Sequence, residues 1–134
     1  MAPRYMLDTN IVSDLIRHPD GKVANKIRKL GADGLCLSII TAAELRFGAA
    51  KRRSPHLSER VENILGEIDI LPFAAPADQN YARIRNDLEA AGQPIGPNDL
   101  LIAAHAVSVG AILVTGNTKE FKRVRGMKVE NWLA

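Results

Sequence analysis

An α/β fold of three layers, with a mainly parallel central sheet between two sets of helices, follows from three features of the sequence. Short apolar runs recur at residues 4–7, 35–38, 70–73 and 111–115. Between them lie stretches in which apolar residues return every three or four positions, as on one face of a helix. Clusters of glycine, proline and asparagine punctuate the junctions. Strands that alternate with helices pair in parallel and are covered on both faces. With 134 residues, 46% of them hydrophobic and 25% charged, the chain is expected to form one domain, residues 1–134, with a core that requires no staples.

The elements follow in order. Residues 4–7 are the first strand, and Ile11, Val12, Leu15 and Ile16 then recur at helical spacing to about Arg17, where His18-Pro19-Asp20-Gly21 stops the helix. His18 suits the negative end of that helix dipole. A helix over 22–30 places Val23, Ile27 and Leu30 on one face and Lys22, Lys26 and Lys29 on another, and Gly31-Ala32-Asp33-Gly34 closes it. Residues 35–38 form the second strand, and a helix opens behind it in which Thr41 and Glu44 have the spacing of a capping box. Residues 51–55, Lys-Arg-Arg-Ser-Pro, read as an exposed basic loop. A helix over 57–67 leads to the strand at 70–73, which Pro72 restricts to an edge or a terminus. Pro76 fits the first turn of a helix that runs to about Ala91 with Tyr81, Ile84 and Leu88 inward. After a loop over 92–99, the helix 100–109 is apolar on nearly all sides and so belongs at the centre of the molecule, with Asp99 on its first turn. The strand 111–115 leads into a turn and short helix at 116–121, and 128–130 reads as a last strand.

Acidic residues fall at the junctions. Asp8 follows the first strand, Glu44 opens the helix after the second, Asp99 opens the buried helix, and Asn117 and Glu120 follow the strand at 111–115. Open α/β sheets place their sites at the carboxyl ends of their strands, and in a parallel sheet those ends share one edge. Each acid taken alone also fits a helix cap. Several gathered on one edge would repel one another and carry raised pKa values unless a cation balanced them. Oxygen donors, with three histidines that show no paired ligand spacing, select Mg²⁺ or Mn²⁺ over zinc. His105, six residues after Asp99, lies off its helical face and reads as a core or surface residue.

A cation held by carboxylates activates water and stabilises charge on a phosphoryl group. Basic stretches at 22–29, 46–53 and 119–128, with Arg46, Lys51, Arg52 and Lys119 as the candidates, could hold a phosphate backbone, or serve only as solvated helix faces. The net charge of +3 permits a polyanionic partner, and an aromatic content of 4% leaves base stacking a minor role. The single cysteine, Cys36, reads as a buried small hydrophobe and cannot form an internal disulfide, which suits a reducing compartment. There is neither an apolar run of about 18 residues nor the apolar region of a signal peptide, so a cytoplasmic location with no membrane contact is expected.

Four blocks carry a family resemblance. Met6-Leu7-Asp8-Thr9-Asn10, Thr41-Ala42-Ala43-Glu44-Leu45-Arg46-Phe47-Gly48, Gly96-Pro97-Asn98-Asp99-Leu100-Leu101-Ile102-Ala103-Ala104-His105-Ala106 and Leu113-Val114-Thr115-Gly116-Asn117-Thr118-Lys119-Glu120-Phe121 resemble the signature blocks of PIN-domain ribonucleases, the VapC toxins of toxin–antitoxin systems in particular. The resemblance implies an α/β/α PIN fold, Mg²⁺-dependent cleavage of RNA (a transfer RNA among the targets it allows), a homodimer, and neutralisation by a VapB-type antitoxin. It places Asp8, Glu44 and Asp99 on the acidic metal positions, with Thr9 beside the first and Thr115 and Asn117 at the end of the fourth block. An aspartate commonly stands where this chain has Asn117, which puts a second tightly held metal in doubt; Glu120 could supply the charge or cap a helix. A catalytically idle RNA- or partner-binding module would explain the same acids as caps. A phosphatase of the haloacid dehalogenase kind would need a second acid where Asn10 stands, and no P-loop motif is present.

Overall fold

The structure is a computed structural model that describes residues 3–134. Five short strands, β1 (Tyr5–Leu7), β2 (Leu35–Ser38), β3 (Asp69–Leu71), β4 (Ile112–Val114) and β5 (Val129–Glu130), form one sheet in the order β3-β2-β1-β4-β5. All four pairings are parallel, and β1 is held on both sides, Met6 opposite Cys36 of β2 and Leu113 of β4.

The strand pleat explains the three layers, because successive side chains leave a strand on opposite faces. Leu7, Leu35, Leu37 and Val114 join one core cluster with Ile11, Val12 and Ile16 of α1 (Thr9–Arg17), Val23 of α2 (Lys22–Leu30), Leu45 of α3 (Ile39–Arg52) and Val61 of α4 (Pro55–Leu65). Met6, Cys36 and Leu113 point the other way, onto Ile84 and Leu88 of α5 (Ala77–Ala90), Ile102 of α6 (Pro97–Val109) and Phe121 of α7 (Thr118–Phe121). Cys36 is buried and free. No helix among the described residues is long and apolar enough to cross a membrane.

Several boundaries differ from the sequence expectation for physical reasons. Residues 51–52 are the last turn of α3 and not a loop, since lysine and arginine are good helix formers and the chain turns only at Arg53, in the left-handed region at φ 52°. Ser54 then caps α4 by accepting the N–H of Leu57, so α4 starts at Pro55, two residues earlier than expected, and ends at Leu65. β3 stops before Pro72 and lies at the sheet edge, as that proline requires. Pro76 stands just ahead of α5 and not inside its first turn. The capping box of Thr41 and Glu44 does not form: Ser38 caps α3 by accepting the N–H of Ile40 at 3.1 Å, which leaves Glu44 free to face elsewhere.

The chain runs outward from β1 to β2 and β3, then returns to the other side for β4 and β5. The sheet therefore reverses its order between β1 and β4, and a crevice opens beyond the carboxyl ends of those two strands.

Candidate active site

Asp8 follows the last residue of β1 in that crevice and is 4% exposed. Its N–H donates to the Val114 carbonyl at 2.8 Å, tying the ends of β1 and β4 together. One carboxylate oxygen accepts the N–H of Thr9 and so caps α1; the other accepts the Thr115 hydroxyl from the end of β4, both at 2.8 Å. The Asn117 N–H donates to the same Thr115 hydroxyl oxygen at 3.0 Å, which fixes the orientation of that group. Asp8 is thus both a helix cap and a presented carboxylate, and the two readings of it do not exclude each other.

Glu44 reaches the crevice from α3. One of its oxygens accepts the Thr9 hydroxyl, and the other accepts the amide of Asn98 on α6 at 3.1 Å. Asp99, beside Asn98, presents its carboxylate from the first turn of α6. Together with Asn10, Ser13 and Arg17 of α1, the residues Asp8, Thr9, Glu44 and Asp99 line one open cleft of about 350 Å³. Asn10 also accepts the N–H of Gly116 at 3.1 Å, holding the turn after β4 against α1.

Glu120 lies at the margin of the cleft. One oxygen accepts the Gly96 N–H at 2.9 Å, at the start of α6, and the other accepts the side-chain amide of Asn117. Asn117 therefore orients Glu120, and it stands at the start of α7 without capping it. Glu120 serves the start of α6 and not a cap of its own helix.

The electrostatics show crowding. Burial pushes Asp8 above the usual aspartate range, against the lowering effect of its bonds from Thr115 and Thr9, and the charges of Glu44 and Glu120 add to the rise. Burial first, then the charges of Asp8 and Glu120, push Asp99 up to about 7. For Glu120, burial works upward but is outweighed by the donors Gly96, Asn117 and the Asp99 carboxyl, so its pKa falls below the ordinary value.

The sequence-derived acids are thus brought together, and the basic residues largely are not. Arg46 is bound through two nitrogens to Glu62 of α4, at 3.0 and 2.9 Å, and is committed to that pair. Lys51 and Lys119 do not line the cleft. Arg52 lines a neighbouring groove with Arg17, and neither guanidinium has an ion pair or hydrogen bond among the described residues. Arg17 is absent from the basic stretches, but Thr9, Ser13 and Arg17 recur at intervals of four and form a helical stripe that reaches the cleft.

The acids that line the cleft offer carboxylate oxygens, and among the described residues Asp8, Glu44 and Asp99 have no cation within ion-pair distance although Arg17 shares the lining, which fits a hard divalent cation. Among the described residues no three His, Cys, Asp or Glu side chains are gathered tightly enough to enclose an ion by themselves.

Comparisons with known proteins agree with this geometry. The PIN domain family matches residues 5–127. The chain is 39% identical to a "tRNA(fMet)-specific endonuclease VapC" of Shigella flexneri over 130 residues, 96% of this chain and 98% of that protein. It is equally identical, at 39%, to a "Ribonuclease VapC2" of Rickettsia felis, with 96% and 97% covered. Among solved structures, VapBC2 of Rickettsia felis bound to a promoter DNA fragment superposes with a TM-score of 0.89 at 37% identity, covering 96% of this chain and 98% of that one. The DNA-bound VapBC of Salmonella typhimurium gives 0.87 at 32% identity, with 98% and 99% covered.

Proposed function

This chain belongs to the PIN-domain family, and from that premise we propose how it works: it is an endoribonuclease toxin of a VapBC-type toxin–antitoxin system that hydrolyses RNA at the cleft of Asp8, Glu44 and Asp99. The observation that carries the site is the convergence of three carboxylates from β1, α3 and α6 at the point where the sheet reverses its order. The activity depends on a divalent cation, for which Asp8 and Asp99 are the proposed main ligands, with Mg²⁺ the ion used and Mn²⁺ a substitute. Bound there, the cation supplies charge neutralisation at the scissile phosphate and a water of lowered pKa.

The chain's own residues do the rest. Thr115 and the Thr9 N–H fix both oxygens of Asp8, so its carboxylate meets the substrate without reorganising. Glu44, steered by Thr9 and Asn98, orients the attacking water and accepts its proton. Asp99 would hold the cation through its carboxylate from the first turn of α6, and Glu120, kept in place by Gly96 and Asn117, adds charge behind it. Arg17 offers an unpaired guanidinium to a neighbouring RNA phosphate.

The test is cleavage of RNA by the purified chain with and without Mg²⁺, beside an Asp8→Asn variant. Equal cleavage by the variant, or cleavage indifferent to chelation, would refute the assignment. The relative from Shigella flexneri is named for a transfer RNA, and a transfer RNA is the proposed substrate class here; new RNA 5′ ends mapped shortly after induction in cells would identify it.

A VapB-type antitoxin is the partner. An apolar groove lined by Ile16, Leu45, Ala49, Leu57 and Val61 runs into the acidic cleft through Thr9 and Glu44. It suits an apolar segment laid across α1, α3 and α4, with an arginine placed bidentately on the carboxylates. The proposed assembly also contains a homodimer, for which Ile39 and Phe47, 45% and 66% exposed on α3, offer apolar surface.

A further inference from the structure

α6 is the most deeply buried helix of the fold, and its buried positions are apolar except for one. His105 sits among Leu100, Ile102, Ala103, Ala104 and Ala106 and is 1% exposed. Its Nδ1 lies 2.7 Å from the hydroxyl oxygen of Ser38, 67 positions earlier in the chain. Ser38 is wholly buried, ends β2 and caps α3. Phe73 meets the imidazole edge-on, with ring centroids 5.6 Å apart and planes at 82°, which fixes the tilt of the ring.

Burial lowers the pKa of His105, so the ring is neutral, with one donor and one acceptor nitrogen. Whichever nitrogen carries the proton, Nε2 is buried and unpartnered, and so is the hydroxyl of Thr41, one turn along α3 from Ser38. At the His105 position an apolar side chain would leave no ring nitrogen unsatisfied, as the imidazole does. Ser38 caps α3, but the cap does not require the imidazole, and the placement of the pair points to a second role.

Glu44 lies six residues beyond Ser38 on α3, and Asp99 lies six residues before His105 on α6. At the rise of an α-helix, both carboxylates stand roughly 9 Å along their helices from the buried pair. α3 and α6 are thus joined at two levels, by Ser38 and His105 in the interior and by Glu44 and Asn98 at the cleft. The upper link uses Glu44 itself, which catalysis must leave free to turn to water or metal. The lower link uses no residue of the cleft.

We propose that the Ser38–His105 hydrogen bond is a positioning pin that sets the spacing of Glu44 and Asp99 across the cleft, so that a divalent cation is accepted without prior rearrangement. This rests on the cleft being the metal site. Groups that orient metal ligands without touching the metal change its affinity by about 10–100-fold when removed, and the lower end of that range applies to a pair nearly two helical turns away.

The test titrates Mn²⁺ into the purified full chain by calorimetry, with thermal melts recorded in the absence of metal. His105→Leu, which fills the space with apolar atoms but leaves the buried Ser38 hydroxyl without the imidazole, is expected to stay folded with a modestly lower melting temperature while weakening Mn²⁺ binding about tenfold. Ser38→Ala is expected to weaken binding similarly with a modest loss of stability from the missing cap, and Ser38→Thr, which keeps the hydroxyl, to stay near the parent chain. Mn²⁺ affinities within twofold of the parent in both His105→Leu and Ser38→Ala would overturn the proposal. Failure of both variants to fold would overturn it too, because the pair would then be part of the fold and not a setting of the site. A parent chain that binds no Mn²⁺ would remove the metal-site reading and the pin with it, an outcome distinct from unchanged affinity among chains that bind.

Discussion

Replacing Asp99 by asparagine tests the crowding of the cleft directly. The folded protein holds the Asp99 carboxyl at about 7 in place of 3.8. Below about pH 4 the group is protonated whether the chain is folded or unfolded. As the pH rises toward 7 the unfolded chain releases the proton while the folded one retains it, so stability falls across that interval, and the loss is complete above about 7. The full displacement corresponds to at most ~4 kcal/mol, at about 1.4 kcal/mol for each tenfold change. Asp99 is only half-buried, and solvent screening reduces this to about 1–2 kcal/mol. An ionised carboxylate is therefore the destabilising form at this position, and Asp99→Asn keeps a neutral side chain of the same shape at every pH. Melting curves of both chains without metal should coincide near pH 4 and separate by roughly 4–8 °C at pH 8, with the variant the more stable. Added Mg²⁺ should raise the parent at pH 8, less so at pH 5.5 where protons compete, and leave the variant unmoved. A constant difference across this range, or one that shrinks as the pH rises, would refute the reasoning.

Four further outcomes follow. Asp8→Ala should abolish cleavage and cost about 1–3 kcal/mol in urea unfolding, because it uncaps α1 and leaves the buried Thr115 hydroxyl without its acceptor; full stability in that variant would contradict the bonding described. Glu44→Gln should lower kcat by about 10²-fold or more with melting within a few degrees of the parent, since the amide oxygen still accepts the Thr9 hydroxyl; near-normal kcat would end its catalytic assignment. Arg17→Ala should raise KM and reduce the slope of log affinity against log salt by about one phosphate contact, whereas Arg46→Ala, already paired with Glu62, should leave both nearly unchanged; the reverse order would move the RNA track to α3. Inhibition by the antitoxin should weaken as Mg²⁺ rises, and replacing its cleft arginine by alanine should restore cleavage in the assembled complex; inhibition indifferent to both would place the block elsewhere.

The layers and the acids were legible in the sequence because both are local signals. Apolar runs of strand length mark β1, β2 and β4, and Asp8 and Asp99 stand where strands end or helices begin. What was not legible depends on partners far away in the chain. Thr41 and Glu44 have the spacing of a capping box, yet the cap is Ser38, because β2 ends there and its side chain is turned inward to His105. Arg46 looked like a free cation until α4 brought Glu62 against it. Repulsion among the acids is visible in the sequence, but the bonds from Thr9 and Thr115 that make Asp8 part of the fold are not. Arg17 was within reach of a periodicity argument, since its distance from Ser13 is one helical turn.

The bond from Thr115 to Asp8 spans 107 positions, and this separation bears on when the site is assembled. A ribosome that has produced β1, α3 and α6 has made every carboxylate that lines the cleft, but the sheet still lacks β4, and Asp8 lacks the strand and hydroxyl that hold it. The cleft therefore gains its final hydrogen bonds only when β4 pairs with β1, so the site is completed late in folding and is not a property of the segments that carry the acids.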